Sequence, residues 1–242
     1  MKVGFFDSGI GGTCILNAFR EICPGVETEY IADTRHCPYG NRPQDEVIRL
    51  SEANVKKLLA RGCGMVVVAC NTATAAAIDY LRSRYPDVPF VGIEPAIKPA
   101  ALRSKSGVVG VLATAGTFNG RLYNETKAKF ARNVTVIAAV ADEFVAEVER
   151  LRGRPVESLG RAEYARVERL VRAKVEPLLR AGADRIVLGC THFPHLKSVI
   201  EKVCAGRAEV IDPSMAVARQ AKRVMERTEG RDRRAASGKD SK

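Results

Sequence analysis

A chain of 242 residues with 46% hydrophobic and 28% charged residues can bury one large core or two modest ones. No window approaches the roughly 18 unbroken apolar residues of a membrane helix. A net charge of +11 invites nucleic acid, but the basic residues are spread among glutamates along helical segments such as Arg161 to Arg180, and no nucleic-acid motif is present.

The start, Met1-Lys2-Val3-Gly4-Phe5-Phe6-Asp7, places a carboxylate too early for a secretion signal and reads as a strand from Val3 to Phe6, so a cytoplasmic protein is expected. A glycine turn follows, then a helix from Thr13 to Ile22. Thr28 to Ala32 reads as a strand, Gln44 to Arg61 as an amphipathic helix, Met65 to Ala69 as a strand and Thr72 to Arg84 as a helix. Phe90 to Ile93 and Gly107 to Leu112 read as strands, Gly120 to Ala131 as a helix and Val134 to Ala139 as a strand. Helices over Asp142 to Leu151 and Arg161 to Arg180 precede a strand from Arg185 to Leu188. Strands alternating with helices imply an α/β protein with mainly parallel sheets.

The pattern repeats. Val3 to Gly9 resembles Val109 to Ala115, Val67 to Thr72 resembles Val187 to His192, and Gly92-Ile93-Glu94-Pro95 resembles Val210-Ile211-Asp212-Pro213. The order is kept, with offsets of 106, 120 and 118 residues. Three matches in register predict two similar α/β domains related by a pseudo-twofold axis. Ligands bind beyond the carboxyl ends of parallel strands, and the repeated motifs sit at such ends, so the active site is expected in the cleft between the domains.

Seven cysteines, an odd number without C-x-x-C spacing, argue against a disulfide framework or a structural zinc site. Most should be small buried residues. Cys70 and Cys190 differ. Each ends an apolar strand at the matching point of its half, and each is followed by polar residues, Asn71-Thr72 and Thr191-His192. A thiol at the start of a helix meets free backbone N–H groups, which favour thiolate. Two opposed thiols suit a two-base racemisation, in which one removes an α-proton and the other supplies one from the opposite face. The turn Asp7-Ser8-Gly9-Ile10-Gly11-Gly12 offers backbone donors for a carboxylate and an acid for an ammonium group. Its glycines are mis-spaced for a dinucleotide site.

These motifs, with Ala32-Asp33-Thr34, Pro38-Tyr39-Gly40-Asn41-Arg42 and Leu188-Gly189-Cys190-Thr191-His192-Phe193-Pro194, resemble those of the bacterial glutamate racemases within the aspartate/glutamate racemase superfamily. The resemblance runs to about Gly230. It implies interconversion of L- and D-glutamate without pyridoxal phosphate or metal, supplying D-glutamate for peptidoglycan. By motif position Cys70 and Cys190 would be the acid/base pair, Cys70 acting on the D form and Cys190 on the L form. Asp7 and His192 would tune the thiols, and Glu149 would assist the second. Asp7, Ser8, Tyr39, Gly40, Asn71, Thr72, Thr114, Thr117, Thr191 and His192 would line the substrate.

Three departures stand out: Ala141-Asp142 where many members have Cys-Pro, Gly120 where serine is common, and Phe193 for the commoner tyrosine. The resemblance also returns the C-terminal helix to the first domain. It divides the chain into residues 1–97 plus 208–230 and residues 98–207, with 231–242 as a disordered basic tail. His36 and His195 read as ordinary loop or helix-start residues, and Glu94 and Asp212 as turn braces. A homodimer fits the resemblance. Some members are reported to inhibit DNA gyrase, and a gyrase or nucleic-acid contact is permitted by the charge but not expected. The competing readings are an aspartate or hydantoin racemase, and a binding or regulatory protein that kept the fold without turnover.

Overall fold

The computed structural model describes residues 1–237. In chain order the first half comprises β1 (Val3–Asp7), α1 (Thr13–Ile22), β2 (Thr28–Ala32), α2 (Gln44–Ala60), β3 (Met65–Val68), α3 (Asn71–Arg84) and β4 (Phe90–Gly92). The second comprises α4 (Ile97–Arg103), β5 (Val108–Ala113), α5 (Ala115–Asn119), α6 (Arg121–Phe130), β6 (Thr135–Val140), α7 (Asp142–Arg150), α8 (Arg161–Arg180), β7 (Arg185–Leu188), α9 (Lys197–Cys204) and β8 (Glu209–Ile211). The helix α10 (Ser214–Ser237) closes the described chain. Among the described residues no helix is long and apolar enough to cross a membrane.

The strands form two four-stranded sheets, ordered β2-β1-β3-β4 and β6-β5-β7-β8, with every pairing parallel. The orders are the same when β1 to β4 are matched with β5 to β8. The three sequence repeats fall on β1/β5, β3/β7 and β4/β8, so the internal similarity reflects a duplicated architecture. The central strands β1 and β3 are buried along their whole length, as expected of parallel strands covered by helices on each face.

One exchange joins the halves. After β4, α4 leaves the first sheet, and its Ile97 and Ala100 pack with Val109, Val111 and Val187 of the second. After β8, α10 returns to the first sheet. Its Val217, Ala218, Ala221 and Met225 are buried with Val3, Phe5, Ile15, Phe19 and Ile93. Asp212 accepts the Ser214 backbone N–H at 2.8 Å and so braces the start of α10, as its position before Pro213 suggested.

The helix α10 does not stop at Gly230. It continues through residues 231–237, where the sequence reading places the start of a disordered tail, because that stretch combines arginines and alanines without a proline and a single glycine does not end it. Residues 238–242 of the expected tail lie outside the described residues. Two short helices, α4 and α5, and the helix α9 also escape the periodicity reading.

Candidate active site

The carboxyl ends of β1, β3, β5 and β7 converge, and every expected site residue lies on the loops that leave them or on a segment packed against those loops. Cys70 is the N-cap of α3, in extended geometry, and its sulfur accepts the Ala73 backbone N–H at 3.4 Å. The thiol itself thus caps the helix, which places the sulfur among the free N–H groups of the first turn. Its sulfur also lies 3.7 Å from Ser8 Oγ. Burial, then the neighbouring charge of Asp7, push the Cys70 thiol well up, so it rests protonated.

Asp7 ends β1 and is fully buried. Its Oδ2 accepts the Gly12 backbone N–H at 2.8 Å and the Thr191 hydroxyl at 3.3 Å, which ties the first half to the second. Its Oδ1 has no partner. Burial raises the Asp7 carboxyl, and the charge of His192 offsets part of that rise. Both polar atoms of the Asn71 amide are likewise buried without a partner. Each buried polar atom without a hydrogen bond costs roughly 1–3 kcal/mol. Three on the two loops beside Cys70 are what a binding site for a small, doubly charged molecule would hold ready.

Cys190, at the end of β7, has a different neighbour. Its sulfur lies 3.8 Å from His192 Nδ1. His192 Nε2 is 2.7 Å from Glu149 Oε1, and that oxygen also accepts the Ile10 backbone N–H at 2.8 Å. Burial would lower the imidazole, but hydrogen bonds to Cys190, Cys37 and Glu149 outweigh it and hold His192 well above its ordinary value. Burial would raise Glu149, and the bond to His192 reverses that and leaves it below the ordinary range. The relay runs from the carboxylate of α7 through the imidazole to the thiol. The glycines of the β1–α1 turn permit it: a Cβ on Gly9 would sit 1.9 Å from Glu149 Oε1, and one on Gly11 2.6 Å from His192 Nδ1.

The remaining residues divide into two groups. Thr72 and Thr114 join the halves through hydroxyls 3.1 Å apart, and Thr114 and Thr117 are 3.0 Å apart, all buried. Gly40 faces them, since a Cβ there would approach Thr114 at 3.1 Å. Tyr39 is buried, in the same apolar cluster as Cys70 and Val68. Its hydroxyl donates to Asp33 at 2.6 Å and accepts from Asn54 at 3.3 Å, so it is spent on holding its own segment. His36 pairs with Asp33, and His195 lies 3.4 Å from Thr13, outside the relay. Glu94 accepts a long bond from Thr126 and braces α6.

The sequence pattern places Cys37 among the structural cysteines. The fold brings it to Glu149 and His192. A lone cysteine between His36 and Pro38 carries no sequence signal for this, because the contact forms only when the loops of both halves meet. Thr72, two residues from Cys70, lines a cavity of about 1040 Å³, with Gly40, Arg42, Gly116 and Arg121 also in its wall.

The profile of the Asp/Glu/Hydantoin racemase family matches residues 14–221. The chain is 43% identical over 224 residues to a glutamate racemase of Roseiflexus sp. (strain RS-1), covering 93% of this chain and 79% of the relative. It is 42% identical over 223 residues to a glutamate racemase of Herpetosiphon aurantiacus, covering 92% and 84%. Among solved structures it is similar to Escherichia coli glutamate racemase in complex with L-glutamate and the activator UDP-MurNAc-Ala, with a TM-score of 0.80, 31% identity, and 93% and 82% coverage. Glutamate racemase from Thermus thermophilus in complex with β-chloro-D-alanine gives a TM-score of 0.70 at 32% identity, with 95% and 81% coverage.

Proposed function

The chain belongs to the Asp/Glu/Hydantoin racemase family, and we propose on that footing that it interconverts L- and D-glutamate, with Cys70 and Cys190 as the two acid/base groups. One observation carries the mechanism. Two buried thiols end the equivalent strands β3 and β7, and each has its own separate set of polar partners. In a two-base racemisation one sulfur, as thiolate, takes the α-proton while the opposite thiol gives a proton to the other face. The chain then holds its proton on the other sulfur, ready for the mirror-image substrate. The helix end at Cys70 and the amide of Asn71 are the dipoles available to the substrate carboxylate and to the charge that develops on it.

In this reading His192 and Glu149 move a proton to and from Cys190, while Ser8 and Asp7 set the state of Cys70. Asp7, Ser8, Tyr39, Gly40, Asn71, Thr72, Thr114, Thr117, Thr191 and His192 form the substrate's surroundings. Glutamate, rather than aspartate or a hydantoin, is favoured by the curated relatives at about 40% identity and by the L-glutamate complex of the Escherichia coli protein. The domain division into 1–97 plus 208–230 and 98–207 belongs to the same reading and is supported by the packing of α4 and α10. The product would serve peptidoglycan synthesis, as the family resemblance implies.

The test is the circular dichroism of L-glutamate, and separately of D-glutamate, with purified protein and no added cofactor. Both signals should decay to zero, with EDTA present or absent. Turnover of aspartate alone, or a requirement for added pyridoxal phosphate, would overturn the proposal.

A further inference from the structure

We propose that Cys37, Glu149 and His192 form a binding site for a thiophilic divalent cation of the zinc class, and that its occupation stops racemisation by drawing His192 away from Cys190. The site stands on the geometry alone. The loss of activity rests on the racemase reading above.

The three side chains reach one point from three segments. Cys37 lies in the loop before α2, Glu149 in the last turn of α7, and His192 in the turn after β7. Their donor atoms all lie within 4.8 Å of one another. Zinc bonds of about 2.0–2.3 Å place neighbouring tetrahedral donors roughly 3.5 Å apart. Closing from the observed spacing takes side-chain shifts of about an ångström and no change of fold.

The donor chemistry is selective. One sulfur, one imidazole nitrogen and one carboxylate oxygen suit zinc or cobalt, and suit magnesium or calcium poorly. Three protein ligands leave a fourth position for water. Cys37 and Glu149 are each partly exposed, so an ion has a route in, whereas His192 is buried behind them. On binding, Cys37 releases its thiol proton and the imidazole nitrogen that takes the metal releases its proton to solvent, and no redox change occurs.

The consequence follows from what His192 already does. One imidazole nitrogen is 3.8 Å from the Cys190 sulfur and the other is 2.7 Å from Glu149. A cation on the Glu149 side replaces the hydrogen bond that anchors the imidazole and places a fixed positive charge at the end of the relay. A metal-bound imidazole cannot pass a proton along Glu149–His192–Cys190. Cys37 carries no proton in the proposed reaction but is one of the groups that hold His192, so the metal response of each Cys37 variant is read against that variant's own metal-free rate.

The experiment is anaerobic titration of the reduced, metal-free protein with Co²⁺, followed by Zn²⁺ in the racemisation assay. Co²⁺ should bind once per chain and give a thiolate-to-cobalt charge-transfer band. The band should persist in Cys70→Ser and vanish in Cys37→Val and in Cys37→Ser. Cys37→Val should weaken Zn²⁺ binding by at least about tenfold, since even an outer-shell partner is worth that much. Zn²⁺ that silences the wild type should leave Cys37→Val at its own metal-free rate. A band that survives both Cys37 variants, or vanishes in Cys70→Ser, would overturn the site, and Zn²⁺ that binds without slowing turnover would overturn the coupling. The cobalt spectrum needs no turnover, so failure of the site and failure of the racemase reading are distinguishable.

Discussion

At the scale of single residues, the two thiols are not equivalent. Cys70 is held protonated by burial and Asp7, while Cys190 faces an imidazole backed by a carboxylate. In the proposed two-base reaction neither can replace the other, so Cys70→Ala and Cys190→Ala should each abolish racemisation, and serine at either position should fare little better because a hydroxyl is a far weaker acid. A glutamate analogue with a leaving group beside the α-carbon needs proton removal only. With Cys70 acting on the D form, Cys70→Ser should keep elimination from the L analogue and Cys190→Ser from the D analogue. If both variants keep the same enantiomer, the opposed-thiol mechanism is wrong.

The His192–Glu149 pair also predicts a pH dependence of stability. His192 is raised above 6.5 in the folded chain, so its contribution is complete below pH 6.5 and fades as pH rises through the raised value. Glu149 is lowered below 4.5, so its contribution is complete above pH 4.5 and is lost as pH falls through the lowered value. Cys190, Cys37 and Asp7 face the same imidazole, and its charge offsets part of the rise that burial imposes on Cys37 and Asp7. The difference in urea midpoint between wild type and Glu149→Gln should therefore be largest between about pH 4.5 and 6.5. A difference independent of pH would show that the pair contributes through packing alone.

Gly11 offers a steric test, because a methyl group there meets the His192 ring and its backbone at 2.6–2.8 Å. Gly11→Ala should cut kcat severely while the far-ultraviolet dichroism stays that of the wild type. Normal turnover would show that the turn can move aside.

At the scale of elements, long periodic segments were legible and short ones were not. The sequence reading places α1, β2, α8 and β7 at their observed ends, because each carries a clear period and clear breakers. The five-residue α5 and seven-residue α4 are too short to show a helical period, and contacts decide them. Asp142, for instance, accepts the Ala115 backbone N–H at the start of α5. Site residues divide in the same way. Cys70 and Cys190 were legible because the duplication repeats them. Glu149 was legible only through the family resemblance. Nothing in the α7 pattern separates it from Glu147, which is instead buried and paired with Arg150 and Arg166. Tyr39 was legible as a candidate through the family resemblance, but the use of its hydroxyl was not, since Asp33 and Asn54 reach it from other elements.

The same helix offers a packing test. Phe144 of α7 meets Phe193 edge-on, with ring centroids 5.2 Å apart, and Phe193 follows His192 directly. Phe144→Ala should cost roughly 3–5 kcal/mol by the usual penalty for a buried aromatic. It should lower kcat as well, because the cavity loosens the support under the imidazole. A stability loss below about 1 kcal/mol in urea melts would mean that the neighbours collapse into the space.

At the scale of the whole molecule, the two sheets share one topology but not one independent outline. The helix that follows each sheet's last strand packs on the other sheet, α4 after β4 on β5 and α10 after β8 beside α1 and β4. Among the described residues, the last side chain of α10 buried against the first sheet is Met225. Deleting 231–242 should accordingly leave the melting temperature within a degree or two, the scale of a surface change of about 0.5 kcal/mol. A larger drop would show that the end of the helix docks.

The return of α10 has a further consequence during synthesis. A ribosome releases β1 to β4 long before Val217, Ala218, Ala221 and Met225 emerge. Until then the apolar face built from Phe5, Ile15, Phe19 and Ile93 lacks its cover. Domains usually fold as they leave the exit tunnel, N-terminal first. Here the order is partly reversed, because the half made first is completed last, after the whole second sheet has formed. Nascent chains stalled near residue 207 should therefore expose a hydrophobic surface that recruits chaperones, and a peptide spanning 208–230 supplied in trans should cover it.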